Sequence, residues 1–382
     1  MHPSKRIYFP NLNGLRFIAA FLVIIHHIEQ FKAIFQLPSY WTGDALINKF
    51  IRIVGGQGVI LFFVLSGFLI TYLLLAEEQK INTIKIKKFY MRRILRIWPL
   101  YLAVVLLSLF AFPHIELLSL PGFPIEEVQS NLGLKLFLYL FFFANLVLAL
   151  LGIIPYASQT WSIGTEEQFY LLWPVVIRYI KKNRLLLMVA IVIGYNAIRM
   201  LLASPVSLSL PYHTILREFW AGFKIDTMAI GGFFAVMLFA HHPPQLLKLL
   251  KNRVAFNLAI AFAVTNYLLG MYYPYINNIV YSGCYAIIIL NFAANPNIKI
   301  KLENKLFNAL GNISYGLYML HPIAIVLCIK LALQYGLVSN WFLYPASTLL
   351  TIAMAQLSYH RYEKIFLKFK SKFAIIKSGS KE

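Results

Sequence analysis

An arginine and a histidine in the first apolar segment are spaced to share one face of a helix. Arg16 and His27 are eleven positions apart. That spacing is a rotation of about 1100°, about 20° past three full turns, and about 16 Å along the axis. Imidazole at such a site suits general-base or nucleophilic catalysis, because it titrates near neutral pH. The alternative for His27 is a core histidine that bonds a neighbouring helix.

A pair of adjacent carboxylates, Glu166 and Glu167, enters another apolar segment. In hydrolase triads a carboxylate orients an imidazole and stabilises its cation. We therefore expect Glu166 to orient His27. The alternative leaves both acids in the outer headgroup zone. Just before the pair stand Trp161 and Ser162, which we assign to acceptor binding or support.

Three arginines open a third apolar segment. Arg93 and Arg96 are three positions apart and lie on one helix face. A helix N-terminus already favours an anion, and guanidinium groups bind phosphate through paired hydrogen bonds. We therefore predict that Arg93 and Arg96, together with Arg92, bind phosphate. The alternative is that basic residues here only mark the cytoplasmic side, but Arg96 lies a full turn inside the segment, where topology does not require it.

Other polar residues within apolar segments are assigned to support. Ser66, like Ser162, is a candidate to hold a developing oxyanion or to line the cofactor site. For Asp226 we favour structural pairing with Lys224 or Arg217 over catalysis. The remaining supporting candidates, both in a late apolar segment, are Tyr315 and His321. The spacing of His and Cys is not that of a zinc site, and we predict no metal.

The composition indicates which kind of secondary structure positions these residues. Of 382 residues, 60% are hydrophobic and 13% are charged, and apolar stretches of membrane-spanning length recur throughout. The sequence therefore predicts an all-α, polytopic integral membrane bundle and excludes a disordered chain or a disulfide scaffold. The formal net charge of +21 is explained by Lys and Arg in cytoplasmic loops rather than by nucleic-acid binding.

The basic residues also predict the topology. Eleven apolar segments are found, at 15–35, 57–76, 93–112, 132–151, 164–180, 185–202, 219–240, 254–271, 277–294, 311–334 and 341–362. If all but 132–151 cross, the cytoplasmic side collects 23 Lys and Arg against three outside. We therefore predict ten transmembrane helices with both termini cytoplasmic, and a re-entrant or peripheral 132–151 segment.

The domain organisation follows from the same pattern. We predict one membrane domain, 1–363, whose first helix is retained rather than cleaved as a signal peptide. A basic cytoplasmic tail, 364–382, would follow as a solvated anchor near anionic headgroups.

These motifs together resemble the acyltransferase-3 family of integral membrane O-acyltransferases, which includes bacterial O-antigen and exopolysaccharide O-acetylases. The resemblance runs from Asn13 to about Glu363, with the motifs in the family's order. The matching motifs are Arg16 with ten residues before His27, Gly58-Val59 to Phe68, Arg93-Ile94-Leu95-Arg96, Trp161-Ser162 to Tyr170, and Ile313-Ser314-Tyr315 to His321. Two positions depart from the pattern: Ile60 stands where many members carry Asp, and Lys224 where an Arg often precedes the acid.

The resemblance implies ten helices, an acyl-CoA donor, usually acetyl-CoA, and an acceptor hydroxyl on a glycan or glycolipid. It also implies a bacterial multi-pass protein of the cytoplasmic membrane, here without the esterase-like domain fused to some members. We expect acetyl-CoA to bind from the cytoplasm at the arginines and the thioester to reach His27, where the glycan arrives from outside. A transporter or flippase without covalent chemistry is the alternative, and a structural partner in polysaccharide assembly ranks last. The oligomeric state is left open.

Overall fold

A computed structural model of the protein describes residues 6–41, 43, 45–376 and 379. These residues form an all-α structure, and no strand element occurs among them. The helices, in chain order, are α1 (Leu12–Ile34), α2 (Leu46–Ile81), α3 (Ile86–Leu106), α4 (Ile125–Gln129), α5 (Leu132–Leu140), α6 (Ala144–Leu151), α7 (Trp161–Tyr179), α8 (Arg184–Ala203), α9 (His213–Gly222), α10 (Ile225–Ala240), α11 (Pro244–Leu250), α12 (Arg253–Leu268), α13 (Asn277–Ala294), α14 (Lys305–Asn312), α15 (Ser314–Tyr335), α16 (Asn340–Ser358) and α17 (Lys364–Lys370). Two π-helical stretches, Leu107–Ala111 and Tyr359–Glu363, continue α3 and α16.

Seven helical stretches in the described part of the chain are long and apolar enough to cross a bilayer. They are Leu12–Ile34, Leu46–Ile81, Ile86–His114, Arg184–Ala203, His213–Ala240, Asn277–Ala294 and Ser314–Tyr335. The other three predicted crossings coincide with α7, α12 and α16, of 19, 16 and 19 residues. The prediction of a polytopic helical membrane bundle is therefore confirmed. The sidedness of the termini stays a prediction.

The 132–151 segment is not one continuous helix. It forms α5 and α6, each about 12–14 Å long at 1.5 Å per residue, separated at Phe142, which has a φ of 61°. The Phe142 carbonyl at this break accepts a 2.9 Å hydrogen bond from Gln168 Nε2 of α7. Neither helix alone has the length to span a bilayer. The free carbonyl at the break is bonded by α7, as re-entrant backbone requires.

The predicted continuous crossing at 219–240 is interrupted. Helix α9 ends at Gly222 and α10 begins at Ile225, so the segment bends at Phe223 and Lys224. Lys224 Nζ lies 5.4 Å from the centroid of the Trp161 ring, and Thr165 Oγ1 donates a 3.3 Å hydrogen bond to the Gly222 carbonyl. The polar start of α7 thus satisfies backbone and charge that lipid would leave unpaired.

Helix α2 packs closely on α10 through small residues. A Cβ on Gly67 would stand 2.0 Å from the Met228 carbonyl oxygen, and one on Gly231 would stand 2.2 Å from that of Val64. Only glycine permits this approach. Gly67 therefore serves helix packing, and this packing holds the neighbouring Ser66 in place.

Both ends of the described chain meet at one face of the bundle. Arg92 Nη1 donates a 2.9 Å hydrogen bond to the Phe373 carbonyl, and Lys80 Nζ donates a 3.0 Å bond to that of Ile375. The Gly379 amide donates to the Ile7 carbonyl at 3.3 Å. Part of the predicted tail therefore packs on the bundle. Lys5, one of the predicted cytoplasmic cations, and tail residues 377, 378 and 380–382 lie outside the described residues.

Candidate active site

A cavity of about 420 Å³ lies at the face where the chain ends meet. Helices α1, α2, α3, α7, α15 and α17 all contribute side chains to its wall. Its polar and charged lining residues include Arg6, Asn13, Arg16, Ser66, Arg93, Arg96, Ser162, Glu166, Tyr170, Tyr315, Tyr318, Glu363 and Lys370. The cavity thus brings together residues from all five motifs that the sequence singled out, although Arg16 and Tyr318 are 302 positions apart.

The guanidinium groups approach the cavity from two helices. Arg16 Nη1 donates a 2.8 Å hydrogen bond to Asn13 Oδ1 at the start of α1. The Arg93 guanidinium of α3 lies 5.6 Å from the Tyr170 ring centroid and 5.8 Å from that of Phe89. In the described part of the chain, the buried Nε of Arg93 has no hydrogen-bond acceptor. A buried donor without a partner, among other cations, is a group that an anionic ligand would satisfy.

Arg92 has a different environment from the two cavity arginines. Its Nη2 lies 3.2 Å from Glu77 Oε2, a carboxylate that also accepts a 2.7 Å bond from the Lys85 amide. Arg92 does not line the cavity. We predicted a cofactor-binding role for Arg92, and the structure instead pairs it with Glu77 and with the tail.

The two carboxylates of α7 point to different partners. Glu166 interacts with the hydroxyls of Ser66 and Tyr170, which are hydrogen-bonded to each other, and lies close to Arg93. Glu167 Oε2 accepts a 2.9 Å hydrogen bond from Trp98 Nε1. Both acids therefore have polar partners within the protein.

The histidines form a separate cluster farther along α1. The ring centroid of His27 lies 4.7 Å from that of His321 on α15 and 5.1 Å from that of His26. The His26 ring is in turn 4.9 Å from Trp41, in the loop between α1 and α2. His321 is fully buried, and its Nε2 has no partner among the described residues. The structure thus places His321 beside His27, a contact the sequence did not predict.

Backbone carbonyls set the proton positions on all three rings. The Nδ1 atoms of His26, His27 and His321 lie 2.7, 2.9 and 2.7 Å from the carbonyl oxygens of Ile51, Val23 and Tyr318. A carbonyl only accepts, so each Nδ1 carries the proton and each neutral ring keeps its lone pair on Nε2. The Nδ1 partner of His27 is the Val23 carbonyl one turn below on the same helix, while Glu166 lies with Ser66 and Tyr170. No described contact therefore supports the predicted orienting role of Glu166.

A tyrosine separates the cavity from the histidine cluster. Tyr318 lines the cavity, and its ring centroid lies 6.0 Å from Phe62 and 5.9 Å from His321. Its hydroxyl bonds Ser162 Oγ at 2.7 Å and donates to the Gln159 carbonyl at 2.8 Å. Phe62 and Ser162 also line the cavity, whereas no described histidine does. The cavity therefore does not extend to His27 in this structure, and Tyr318 lies against both regions.

The remaining predicted residues lie around these two regions. Asp226 is buried, with Oδ2 3.3 Å from Asn196 Nδ2, and Lys224 and Arg199 are its nearby cations. Among the described residues Asp226 forms no ion pair within 4.0 Å, so its predicted pairing with Lys224 or Arg217 stays a prediction. Tyr315 lines the cavity and donates a 2.7 Å hydrogen bond to the Ile97 carbonyl. Within the described chain, no group of three His, Cys, Asp or Glu side chains is arranged to hold a metal ion.

Sequence reasoning missed three residues of this region. Tyr170 and Tyr318 stand inside motifs that were quoted, but only their positions beside Glu166 and His321 reveal contacts. Lys370 was counted with the solvated tail, yet it lines the cavity. Burial lowers the pKa of the Lys370 ammonium well below its usual value, and the nearby Arg96, Arg93, Arg16 and Arg92 lower it further. No pattern in a run of tail lysines distinguishes this one.

Comparison with known proteins shows which family the chain matches. A family model described as an acyltransferase domain matches residues 9–360. The O-acetyltransferase OatA of Staphylococcus aureus is 24% identical over 380 residues, covering 93% of this chain and 57% of that protein. YrhL of Bacillus subtilis is 28% identical over 381 residues, covering 94% and 54%. The peptidoglycan O-acetyltransferase OatA of Listeria monocytogenes is 31% identical over 198 residues, covering 50% and 28%.

The matches to the Staphylococcus and Bacillus proteins cover nearly all of this chain, but the chain spans only about half the length of those two relatives. No solved structure matches it.

Proposed function

The chain belongs to this acyltransferase family, and from that premise we propose that it moves an acyl group from cytoplasmic acyl-CoA to a hydroxyl of an extracytoplasmic glycan. Acetyl is the proposed acyl group, because the named relatives are O-acetyltransferases. One observation carries the proposal: a cationic cavity and a cluster of histidines lie at different depths along one face of α1. The family assignment favours this reading over the transporter alternative.

The cavity supports a phosphate-bearing donor. Five cationic side chains line it against two carboxylates, Glu166 and Glu363, which is a formal excess of three positive charges. Like charges gathered in a partly desolvated space are unfavourable unless an anion binds among them. Coenzyme A carries a diphosphate and a phosphomonoester, and Arg93 and Arg96 would hold these groups by charge-assisted hydrogen bonds.

Sidedness supports a cytoplasmic donor. The cavity lies at the face where the described chain ends meet, and basic loops predict that both termini are cytoplasmic. The histidine cluster lies about 16 Å farther along α1, on the side of Trp41 and the loop to α2. We propose that the glycan approaches from that side. Peptidoglycan is the acceptor class that the name of the Listeria relative favours.

The chemistry requires a base at the acceptor hydroxyl. His27 Nε2 carries the free lone pair, because its Nδ1 proton is held by the Val23 carbonyl. As the acceptor oxygen attacks the thioester carbon, the C–O bond forms, the C–S bond breaks, and the hydroxyl proton passes through Nε2 to the leaving sulfur. In the second form of the mechanism, Nε2 attacks the thioester carbon, the C–S bond breaks and the thiolate leaves. The acceptor oxygen then attacks the acyl carbon, the C–N bond breaks, and the hydroxyl proton passes to the thiolate.

The donor arm has to pass Tyr318 to reach His27. The Tyr318 ring contacts both Phe62 and His321, and we propose that it turns aside when the pantetheine arm enters. Ser162, which bonds the Tyr318 hydroxyl, would then be free to donate to the thioester oxygen as charge develops there.

Glu166 receives a new role in this proposal. It lies with Ser66, Tyr170 and Arg93 rather than beside the imidazole. We propose that its carboxylate orients the Arg93 guanidinium toward the donor and offsets part of the repulsion among the arginines. Glu166 is then a positioning residue for donor binding.

A transfer assay tests the proposal. The full-length protein in nanodiscs is given acetyl-CoA labelled in the acetyl group and a soluble peptidoglycan fragment on the opposite face. Label recovered on the glycan as an ester supports the proposal. Movement of unmodified glycan without label transfer would restore the transporter alternative, and label transfer from a donor other than acyl-CoA would overturn the proposed donor.

A further inference from the structure

We propose that Lys370, on the short helix α17 near the end of the chain, binds a phosphate group of the donor nucleotide together with Arg93 and Arg96. The inference rests on the proposed function, since it takes acyl-CoA as the donor. It adds to the donor site a residue that lies beyond the 9–360 range of the family match.

The geometry places Lys370 in the cavity wall. Arg16, Arg93, Arg96 and Lys370 line the same space, although α1, α3 and α17 are far apart in the sequence. Lys370 is only partly exposed, whereas Lys368 and Lys364 on the same helix are exposed. One lysine of α17 therefore turns inward while its neighbours face solvent.

Contacts on both sides of α17 hold Lys370 in this position. Just before the helix, Tyr362 donates a 3.1 Å hydrogen bond to the Pro99 carbonyl of α3. Just after it, the Phe373 carbonyl accepts from Arg92, which is adjacent to Arg93 and four residues before Arg96. The ion pair of Arg92 with Glu77 fixes the guanidinium that makes this bond. The tail is thus fastened to the helix that carries the phosphate-binding arginines.

The charge environment of Lys370 needs a counter-ion. It faces Arg16, Arg92, Arg93 and Arg96, and the carboxylates that line the same cavity are Glu166 and Glu363. An ammonium group among guanidinium groups is electrostatically repelled by them. A bound phosphate offsets this repulsion because it attracts all of these cations.

The position within the cavity indicates which part of the donor Lys370 meets. Tyr318, which bonds Ser162, lies against His321, while Arg6, Lys370 and Gly379 line the cavity from the terminal segments of the chain. The acyl end of the donor has to point toward the histidines. The nucleotide, with its phosphates, then lies against the terminal segments beside Lys370.

Binding of intact and truncated donors tests this assignment. Lys370→Met keeps the apolar stem and removes the charge, and Lys368→Met is the matched control on the exposed face of α17. Titration of the full-length proteins in nanodiscs should show acetyl-CoA binding about tenfold weaker in Lys370→Met. The Lys368→Met variant should bind like the wild type, and Lys370→Arg should restore most of the affinity.

Acetyl-pantetheine, which lacks all the phosphates, separates a phosphate contact from a structural effect. Its affinity should be the same in the wild type and in Lys370→Met. Equal acetyl-CoA affinity in the two proteins would overturn the inference alone, as would an equal loss for acetyl-pantetheine. A wild-type protein that does not bind acetyl-CoA would overturn the proposed donor and this inference with it.

Discussion

The cationic cavity and the histidine cluster lie on one face of α1, but their side chains bond different kinds of group. In the cavity, the side chains of Arg16, Glu166 and Lys370 are charged and interact mainly with other side chains. In the cluster, the histidine Nδ1 atoms bond backbone carbonyls instead. The comparison teaches a division of labour: the charged region is suited to recognise an anion, and the region of neutral, oriented imidazoles is suited to move a proton.

Removing the imidazole of His27 should have the largest effect, because it breaks the chemical half of this comparison and leaves the binding half intact. His27→Ala should lower acyl transfer by about 100-fold to 10,000-fold while acetyl-CoA affinity stays near the wild-type value. Labelled acetyl transfer and donor titration on the same preparations measure both. His360→Ala, at an exposed histidine of the Tyr359–Glu363 stretch, is the control. Full transfer activity in His27→Ala would remove His27 from the mechanism.

Neutralising Glu166 should have an intermediate effect, and it distinguishes the observed arrangement from the predicted one. Because Glu166 contacts Ser66, Tyr170 and Arg93, Glu166→Gln should change the KM for acetyl-CoA several-fold. The midpoint of the pH–rate profile should not move, since Val23 rather than Glu166 holds His27. A shifted midpoint with an unchanged KM would reinstate Glu166 as the partner of the imidazole.

The pH dependence of donor binding should show the smallest effect, and it sharpens the account of the cavity. Burial and the arginines lower the pKa of Lys370, and a bound phosphate raises it again, so binding takes up a proton. Acetyl-CoA affinity should therefore fall a few-fold as pH rises from the pKa of Lys370 in the free protein toward its higher pKa in the complex. Tyr8 and Glu363 also face the cavity, and subtracting the profile of Lys370→Met removes their contribution. Identical profiles would show that Lys370 does not meet the donor.

Much of the fold followed from the sequence because the bilayer restricts it. Long apolar segments have to be helices, and the distribution of Lys and Arg separated the 132–151 segment from the crossings. The structure agrees by dividing that segment into α5 and α6. The bend at Lys224 was not predicted, because hydropathy does not report where a neighbouring residue such as Trp161 supports a broken helix.

The site was predicted in parts rather than as a whole. The spacing of Arg16 and His27, and of Arg93 and Arg96, follows from helix geometry, which any isolated helix obeys. The partners of these residues do not. Glu166 lies near Arg93 and His321 lies beside His27, because those contacts depend on how α7 packs against α2 and α3 and on how α15 packs against α1.

The sequence by itself determined that the protein is a membrane helical bundle, which residues could take part in chemistry, and how far along its own helix each of them lies. It could do so because periodicity and the exclusion of charge from lipid act locally. Only the tertiary structure decided which of these residues meet. Close packing sets how helices approach each other, as Gly67 on Met228 does for α2 and α10. Contacts of the tail with α3 hold Lys370 at the cavity, and Tyr318 lies against both the cavity and His321.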